Sequence, residues 1–176
     1  MTPTCNVLVL CTGNSARSLL AESLFIHRSQ GRVHAFSAGS KPRGEPHPLA
    51  IALLKARGHE TKYLRSKSWH EFAVPGAPMM DLVVTVCDSA AGESCPLWPG
   101  APLKTHWGIP DPAAATGSEA DQRSAFELAY KRLDARVGAF LALPFETMAI
   151  SALQRELARI GHLEGATALA TGTGKA

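Results

Sequence analysis

Several things are scarce in this chain of 176 residues, and each scarcity removes a class of function. Aromatic residues make up 6% of it, charged residues 19%, and the formal net charge is only +3. There is no block of five basic residues and no alternation of basic with aromatic side chains, so the footprint of a nucleic-acid binder is missing. No apolar run approaches the ~18–20 residues of a membrane span. The N-terminus has no basic stretch followed by a long apolar one, the mark of a secretory leader, so a cytoplasmic protein is expected. The fingerprint G-x-G-x-x-G of dinucleotide binding is absent. So is C-x-x-C, and four cysteines are too few for a disulfide scaffold. In a reducing compartment they point instead to catalytic or redox thiols. No internal repeat or linker divides the chain. It reads as a single domain over residues 1–161, with a Gly-, Thr- and Ala-rich tail over 162–176 that is expected to be mobile.

What is present is concentrated near the N-terminus. Residues 11–18 read Cys-Thr-Gly-Asn-Ser-Ala-Arg-Ser, between the apolar run Val7–Leu10 and the helix-like Leu19-Leu20-Ala21-Glu22. A cysteine closes a strand, a Gly-containing turn follows, and Arg17 stands at the mouth of a helix. Backbone N–H groups at such a turn converge on negative charge. Arg17 adds a planar two-pronged clamp. Thr12, Gly13, Asn14, Ser15, Ala16, Arg17 and Ser18 therefore form a candidate cradle for a tetrahedral oxyanion. The same positive field is expected to depress the pKa of Cys11 and make it a thiolate nucleophile. A strand-to-helix turn with an inert cysteine is the plainer alternative.

Strand-like segments alternate with helical ones. Residues 6–10, 33–37 and 81–86 are β-branched or apolar runs, and 103–107 is a weaker one. Helical spacing covers 15–29, 47–57 (Pro48 in its first turn, Gly58 past its end), a short piece over 66–72, and 118–143. After the break at Pro144 it resumes over 145–160. The stretch 87–102 carries Gly and Pro throughout and reads as a loop with at most a brief helical turn. This order predicts right-handed βαβ crossovers and a parallel sheet, with ligands bound beyond the carboxyl ends of its strands. Cys11, Cys87 and Asp111 each follow a strand, so all three converge on that edge.

Asp111, in Trp107-Gly108-Ile109-Pro110-Asp111-Pro112, is either a turn residue or an acid placed to protonate a leaving oxygen; its position after a strand favours the acid. Cys87 and Cys95 bracket a flexible segment and leave three readings open. These are a zinc site with His106, two unrelated thiols, or a relay in which Cys87 attacks an adduct on Cys11 and Cys95 then attacks the resulting disulfide. Cys5 reads as a structural thiol. Trp69 and Trp98 read as cover for apolar surface, and His106 and Trp107 as packing around the acid loop.

The segments Val7–Glu22 (VLVLCTGNSARSLLAE), Phe36–Gly39 (FSAG), Asp81–Cys87 (DLVVTVC), Cys95-Pro96 and His106–Ala113 (HWGIPDPA) resemble the thioredoxin-coupled arsenate reductases, which share the low-molecular-weight protein tyrosine phosphatase fold. The resemblance implies a three-layer α/β/α, Rossmann-like domain with a four-stranded parallel sheet, commonly monomeric. It also implies a redox triad of Cys11, Cys87 and Cys95. The implied substrate is arsenate, with phosphate or sulfate as competing oxyanions, and the implied reductant is thioredoxin or another external dithiol system. No tightly bound cofactor is implied. Ser18 would hydrogen-bond Cys11, and Asn14 would hold the loop. Some members bind potassium beside the loop. Asn14, Glu22 and Ser37 match its ligands, but Ser68 stands where a carboxylate is expected, so at most a weak monovalent cation site is implied. Ala16 replaces a second loop cysteine, and Ala113 replaces the aromatic residue usual in phosphatases. A tyrosine phosphatase would use the same Cys11, Arg17 and Asp111 but needs neither Cys87 nor Cys95. A non-catalytic oxyanion sensor or thiol switch would need no Asp111.

Overall fold

The computed structural model describes residues 4–173. Strands β1 (Cys5–Cys11), β2 (Val33–Gly39), β3 (Leu82–Thr85) and β4 (Leu103–His106) form one parallel sheet in the order β2-β1-β3-β4. The central strand β1 is apolar on both faces because both faces are covered. Val7, Leu8, Val9 and Leu10 are all fully buried, Val7 and Val9 toward one core and Leu8 and Leu10 toward the other.

The larger core lies under helices α1 (Arg17–Arg28), α2 (Pro48–Ala56), α4 (Glu119–Leu141) and α5 (Ile150–Gly161). Phe25 of α1 anchors it, stacked on Trp107 at 6.2 Å and edge-on to Phe140 at 5.8 Å. The opposite face carries a thinner cover, a 3₁₀ turn (Trp69–Phe72) and the loop bearing Trp98, with the two indoles 6.3 Å apart. Trp69 and Trp98 thus cover apolar surface, as their sequence context implied.

Local signals explain most element ends. Pro48 occupies the first turn of α2, and the His47 ring accepts from the Leu49 N–H. Ser118 and Asp121 form a capping box at the start of α4. The five-residue α3 (Asp88–Gly92) is the brief helical turn expected after β3. Helix α5 starts at Ile150, five residues later than its periodicity implied. The reason is Phe145, which leaves the helical path to stack on Phe140 at 4.5 Å beneath the Arg32 guanidinium. Among the described residues, no helix is long and apolar enough to cross a membrane.

The segment after Gly161, expected to be a mobile tail, is docked as far as Thr173. Arg136, fully buried on α4, donates to the carbonyls of Leu163 (2.9 Å) and Glu164 (3.2 Å), and the Thr167 N–H donates to the Gly108 carbonyl (3.0 Å). A buried guanidinium needs acceptors, and this turn supplies them. Residues 174–176 lie outside the described residues.

Candidate active site

The loop Thr12–Ala16 joins β1 to α1, and its carbonyls are tied outward. Those of Thr12, Gly13 and Ser15 accept from the amides of Lys41 (3.0 Å), Arg43 (3.0 Å) and His47 (2.8 Å). Among the described residues, no amide from Gly13 to Arg17 donates to a protein acceptor. Helix α1 also has no side-chain cap and no acid in its first turn. The donors are therefore left for an anion at the helix N-terminus. They line a cleft of about 240 Å³ with Cys11, Arg17, Lys41, Arg43, Cys87, Ser89, Asp111 and Ala113.

Asn14 fixes the turn. Its φ is +42°, the left-handed region that Asn tolerates. Its buried Nδ2 donates to Ser18 Oγ (2.8 Å) and Ser37 Oγ (2.9 Å), while Oδ1 accepts from the Lys67 N–H (2.9 Å). Gly39 explains the Ser-Ala-Gly that ends β2: a Cβ there would collide with the Thr12 carbonyl.

The structure brings Cys11 and Cys87 together on the wall of one cleft, where each dominates the titration of the other. Cys87 caps α3. Its Sγ accepts from the Thr12 N–H (3.3 Å) and Ala90 N–H (3.4 Å), with Thr12 Oγ1 at 3.6 Å. The neighbouring Cys11 and these donors lower the Cys87 thiol to about 5, against burial. The neighbouring Cys87, then burial, pushes Cys11 well up, and Arg17 and Ser18 pull against this without prevailing. This reverses the expectation that Cys11 carries the thiolate. The two thiols titrate as a pair with one charge between them, and the Thr12 and Ala90 amides draw that charge toward Cys87.

Arg17 donates to the Ile109 carbonyl (2.8 Å), and its Nη2 lies 3.5 Å from Asp111 Oδ2. Asp111 sits in the cleft and also accepts from the Ala113 N–H (3.0 Å), so it is a turn residue and a cleft residue at once. Cys95 is not brought in. It packs, half-buried, against the opposite core and lines a separate cleft of about 420 Å³ with Trp98, Lys104 and His106. Cys5 lies at the far end of β1, its thiol pushed up to about 12 by burial.

Residues 6–158 of this sequence match the low molecular weight phosphotyrosine protein phosphatase family. The chain belongs to that family. It is 33% identical to the arsenate reductase of Shouchella clausii over 134 residues, 76% of this chain and 93% of the relative. Among solved structures it resembles the thioredoxin-dependent arsenate reductase of Corynebacterium glutamicum, with a TM-score of 0.53 and 26% identity. That match covers 75% of this chain and 59% of the other. An arsenate reductase from Archaeoglobus fulgidus aligns with a TM-score of 0.55 and 30% identity over 75% of this chain and 98% of its own. The family match stops at residue 158, so the docked segment lies beyond it.

Two further comparisons with the sequence reading are corrections. The cation site implied for Asn14, Glu22 and Ser37 already holds an ammonium. Lys67 Nζ lies 3.6 Å from Glu22 Oε2 and donates to Ser37 Oγ (3.3 Å) and the Arg65 carbonyl (3.1 Å). The Ser37 hydroxyl in turn donates to Glu22 in a short hydrogen bond. Ser68, in place of a carboxylate, caps the 3₁₀ turn instead. The zinc reading also fails. His106 binds Thr85 Oγ1 (2.7 Å) and Asp88 Oδ1 (2.8 Å), and no three His, Cys, Asp or Glu side chains gather for a metal among the described residues. Sequence reasoning missed Lys41, Arg43 and Lys67. The first two follow the end of β2, and a cation at the carboxyl edge of a strand was the available signal.

Proposed function

We propose that this protein reduces arsenate to arsenite by a relay through Cys11, Cys87 and Cys95, regenerated by thioredoxin. The observation that carries the reading is a second thiol, Cys87, on the wall of the same anion-binding cleft as Cys11, with the Thr12 and Ala90 amides donating to its sulfur. A phosphatase needs no such partner. The cleft lining also contains no aromatic side chain to wall an aryl group.

Arsenate enters against the free amides from Gly13 to Arg17, with Lys41 and Arg43 at the rim. Cys11 Sγ attacks arsenic, and an arsenic–oxygen bond breaks. The departing oxygen leaves as water, taking its protons from the Cys11 thiol and through Asp111. Cys87 thiolate then attacks Cys11 Sγ. The sulfur–arsenic electron pair stays on arsenic, which departs as arsenite, and the Cys11–Cys87 disulfide holds the oxidising equivalents. Cys95 attacks Cys87, forms the Cys87–Cys95 disulfide and returns Cys11 as a thiolate. Thioredoxin dithiol reduces that bond. Phosphate and sulfate compete for the same amides.

The test is arsenite production with thioredoxin, thioredoxin reductase and NADPH, against the glutathione–glutaredoxin system. Cys87→Ser and Cys95→Ser should each lose sustained turnover yet hydrolyse an aryl phosphate slowly, since hydrolysis needs only Cys11, Arg17 and Asp111. Continuous arsenate reduction by both variants with thioredoxin as sole reductant refutes the relay.

A further inference from the structure

The docked C-terminal segment has no place in the relay as described, yet it reaches the residue next to Cys87. Thr167 Oγ1 donates to Asp88 Oδ1 (2.6 Å), the oxygen also bound by His106 Nε2 (2.8 Å). The contact is built rather than incidental. His106 is fixed on its other side by Thr85 Oγ1 (2.7 Å), and the Thr167 amide by the Gly108 carbonyl (3.0 Å). Gly108 has to be glycine because a Cβ would lie 2.5 Å from both His106 Nε2 and Thr167 Oγ1 and 2.7 Å from Asp88 Oδ1. Upstream, Gly161 approaches the His106 carbonyl so closely that a Cβ would lie 2.5 Å from it. Gly165 has φ +80° and packs against Arg132 with no room for a Cβ.

Asp88 is the first residue of α3, and α3 is the element that a Cys87–Cys95 disulfide must disturb. Cys87 Sγ now faces the cleft and accepts from Thr12 and Ala90, and its carbonyl accepts from the Ala91 N–H (3.2 Å). Cys95 packs against the other core. A disulfide needs Cα atoms within ~4.4–6.8 Å and properly aimed Cβ atoms. Turning Cys87 away from Thr12 turns Asp88 with it, off an oxygen-donor pair that is rigidly held.

We infer that Thr167 is a positioning residue for the relay, a latch that holds Asp88 and thereby keeps α3 and Cys87 in the reduced, attacking geometry. The inference rests on the relay proposed above. Because the latch closes only on the dithiol form, it shifts the Cys87–Cys95 couple toward the dithiol by the strength of its hydrogen bond to a carboxylate. The Asp88 side chain is 43% exposed, so water screens the charge and the bond counts as an ordinary one; losing it should favour the disulfide by roughly five- to tenfold in the equilibrium with thioredoxin.

The experiment uses the full chain with Thr167→Val, which removes the hydroxyl at nearly constant volume, and Thr167→Ser, which restores it. Each protein is equilibrated with reduced and oxidised thioredoxin, and Cys87–Cys95 is quantified by mass spectrometry. The expected result is the stated shift for Val and a wild-type value for Ser. Hydrogen exchange of residues 88–92 in the reduced state should be faster in Val only, with kcat and KM for aryl-phosphate hydrolysis unmoved in both. A disulfide that forms in the wild type with the same equilibrium in Val overturns the latch and leaves the relay standing. Failure of the wild type to form Cys87–Cys95 at all overturns the relay and the latch with it. If Ser behaves as Val does, the hydroxyl is not the holding group and the latch is wrong.

Discussion

Replacing Lys67 by methionine should produce a pH-dependent loss of stability whose size follows from Glu22. The pair is buried at 7% and 5% exposure with 3.6 Å between Nζ and Oε2. An effective dielectric of about 20 gives about 4–5 kcal/mol of attraction at such a separation. Methionine keeps most of the stem's volume, so the main change is an unpaired buried carboxylate. That carboxylate can escape its penalty by binding a proton. From an ordinary value of 4.5, protonation at pH 7 costs about 3.4 kcal/mol, and at pH 5 about 0.7 kcal/mol. The pH-dependent part of the destabilisation is therefore capped near 3 kcal/mol at pH 7 and nearly gone at pH 5. For a chain of this size that is a drop in Tm of roughly 6–12 °C at pH 7. Burial already raises Glu22, and Lys67 is the leading influence that lowers it. Removing the ammonium raises the folded pKa further. A carboxylate raised in the folded state gives stability that is present below its unfolded pKa and lost as pH rises through its folded pKa. The assay is thermal unfolding of the wild type, Lys67→Met and Lys67→Met/Glu22→Gln between pH 5 and pH 8. The single variant's deficit should grow with pH, and the double variant should remove that slope. An equal deficit at pH 5 and pH 7 would refute the charge argument and reduce Lys67 to a packing residue.

The remaining expectations concern the cleft. Thiolate ultraviolet absorbance should appear with a midpoint at about pH 5, and that midpoint should shift in Cys87→Ser as the remaining thiol titrates alone; a midpoint unchanged by the substitution would put the charge on Cys11. Asp111→Asn should slow both arsenate reduction and aryl-phosphate hydrolysis by roughly 10²–10⁴-fold, the usual worth of a placed general acid, and unaltered rates would leave Asp111 as a turn residue only. Arg17→Lys should lower kcat/KM for both on the order of 10²-fold, because an ammonium cannot reproduce a planar pair of donors; near-normal efficiency would show that Arg17 only braces Ile109. Cys11→Ser should abolish arsenate reduction, measured as arsenite formed, since a serine hydroxyl is not ionised near neutral pH.

What could be read from sequence follows from how far apart the interacting residues lie. The loop from Cys11 to Ser18 is contiguous, so strand, turn and helix signals sat side by side and the cradle was legible. The parallel sheet was legible for a similar reason, because Val7–Leu10 and Leu82–Val86 are short apolar runs separated by helical spacing. The charge on Cys87 was not legible. It depends first on Cys11 and also on Thr12, the latter 75 residues away in sequence. Lys67 in the cation position was equally hidden, since nothing near it in sequence names Glu22 or Ser37 as partners. The docked tail failed on composition. Gly, Thr and Ala suggest mobility, but here Gly165 permits close approach to Arg132, Thr167 supplies a hydroxyl, and the carbonyls of Leu163 and Glu164 accept from both Nη atoms of a buried arginine. The placement of Cys95 against the other core was not foreseeable from a spacing of eight residues.

That placement would give the proposed relay a direction. Cys11 and Cys87 belong to the core on the helical side and share the anion cleft, whereas Cys95 borders the thinner side beside Trp98. Electrons drawn from an external dithiol must enter on one face and be used on the other. A protein reductant is too large to enter a 240 Å³ cleft, and Cys11 is buried at 6% exposure. Direct reduction of a Cys11 disulfide by another protein is therefore sterically closed. In the proposed relay, a turn of α3 would carry Cys87 from the cleft to Cys95, moving the disulfide instead of opening the cradle. The cradle can then stay rigid, as its outward-tied carbonyls and Asn14 network require. The movement the relay needs would fall on α3, where only Ala90 is buried, so that the bonds to Asp88 rather than apolar packing resist the turn.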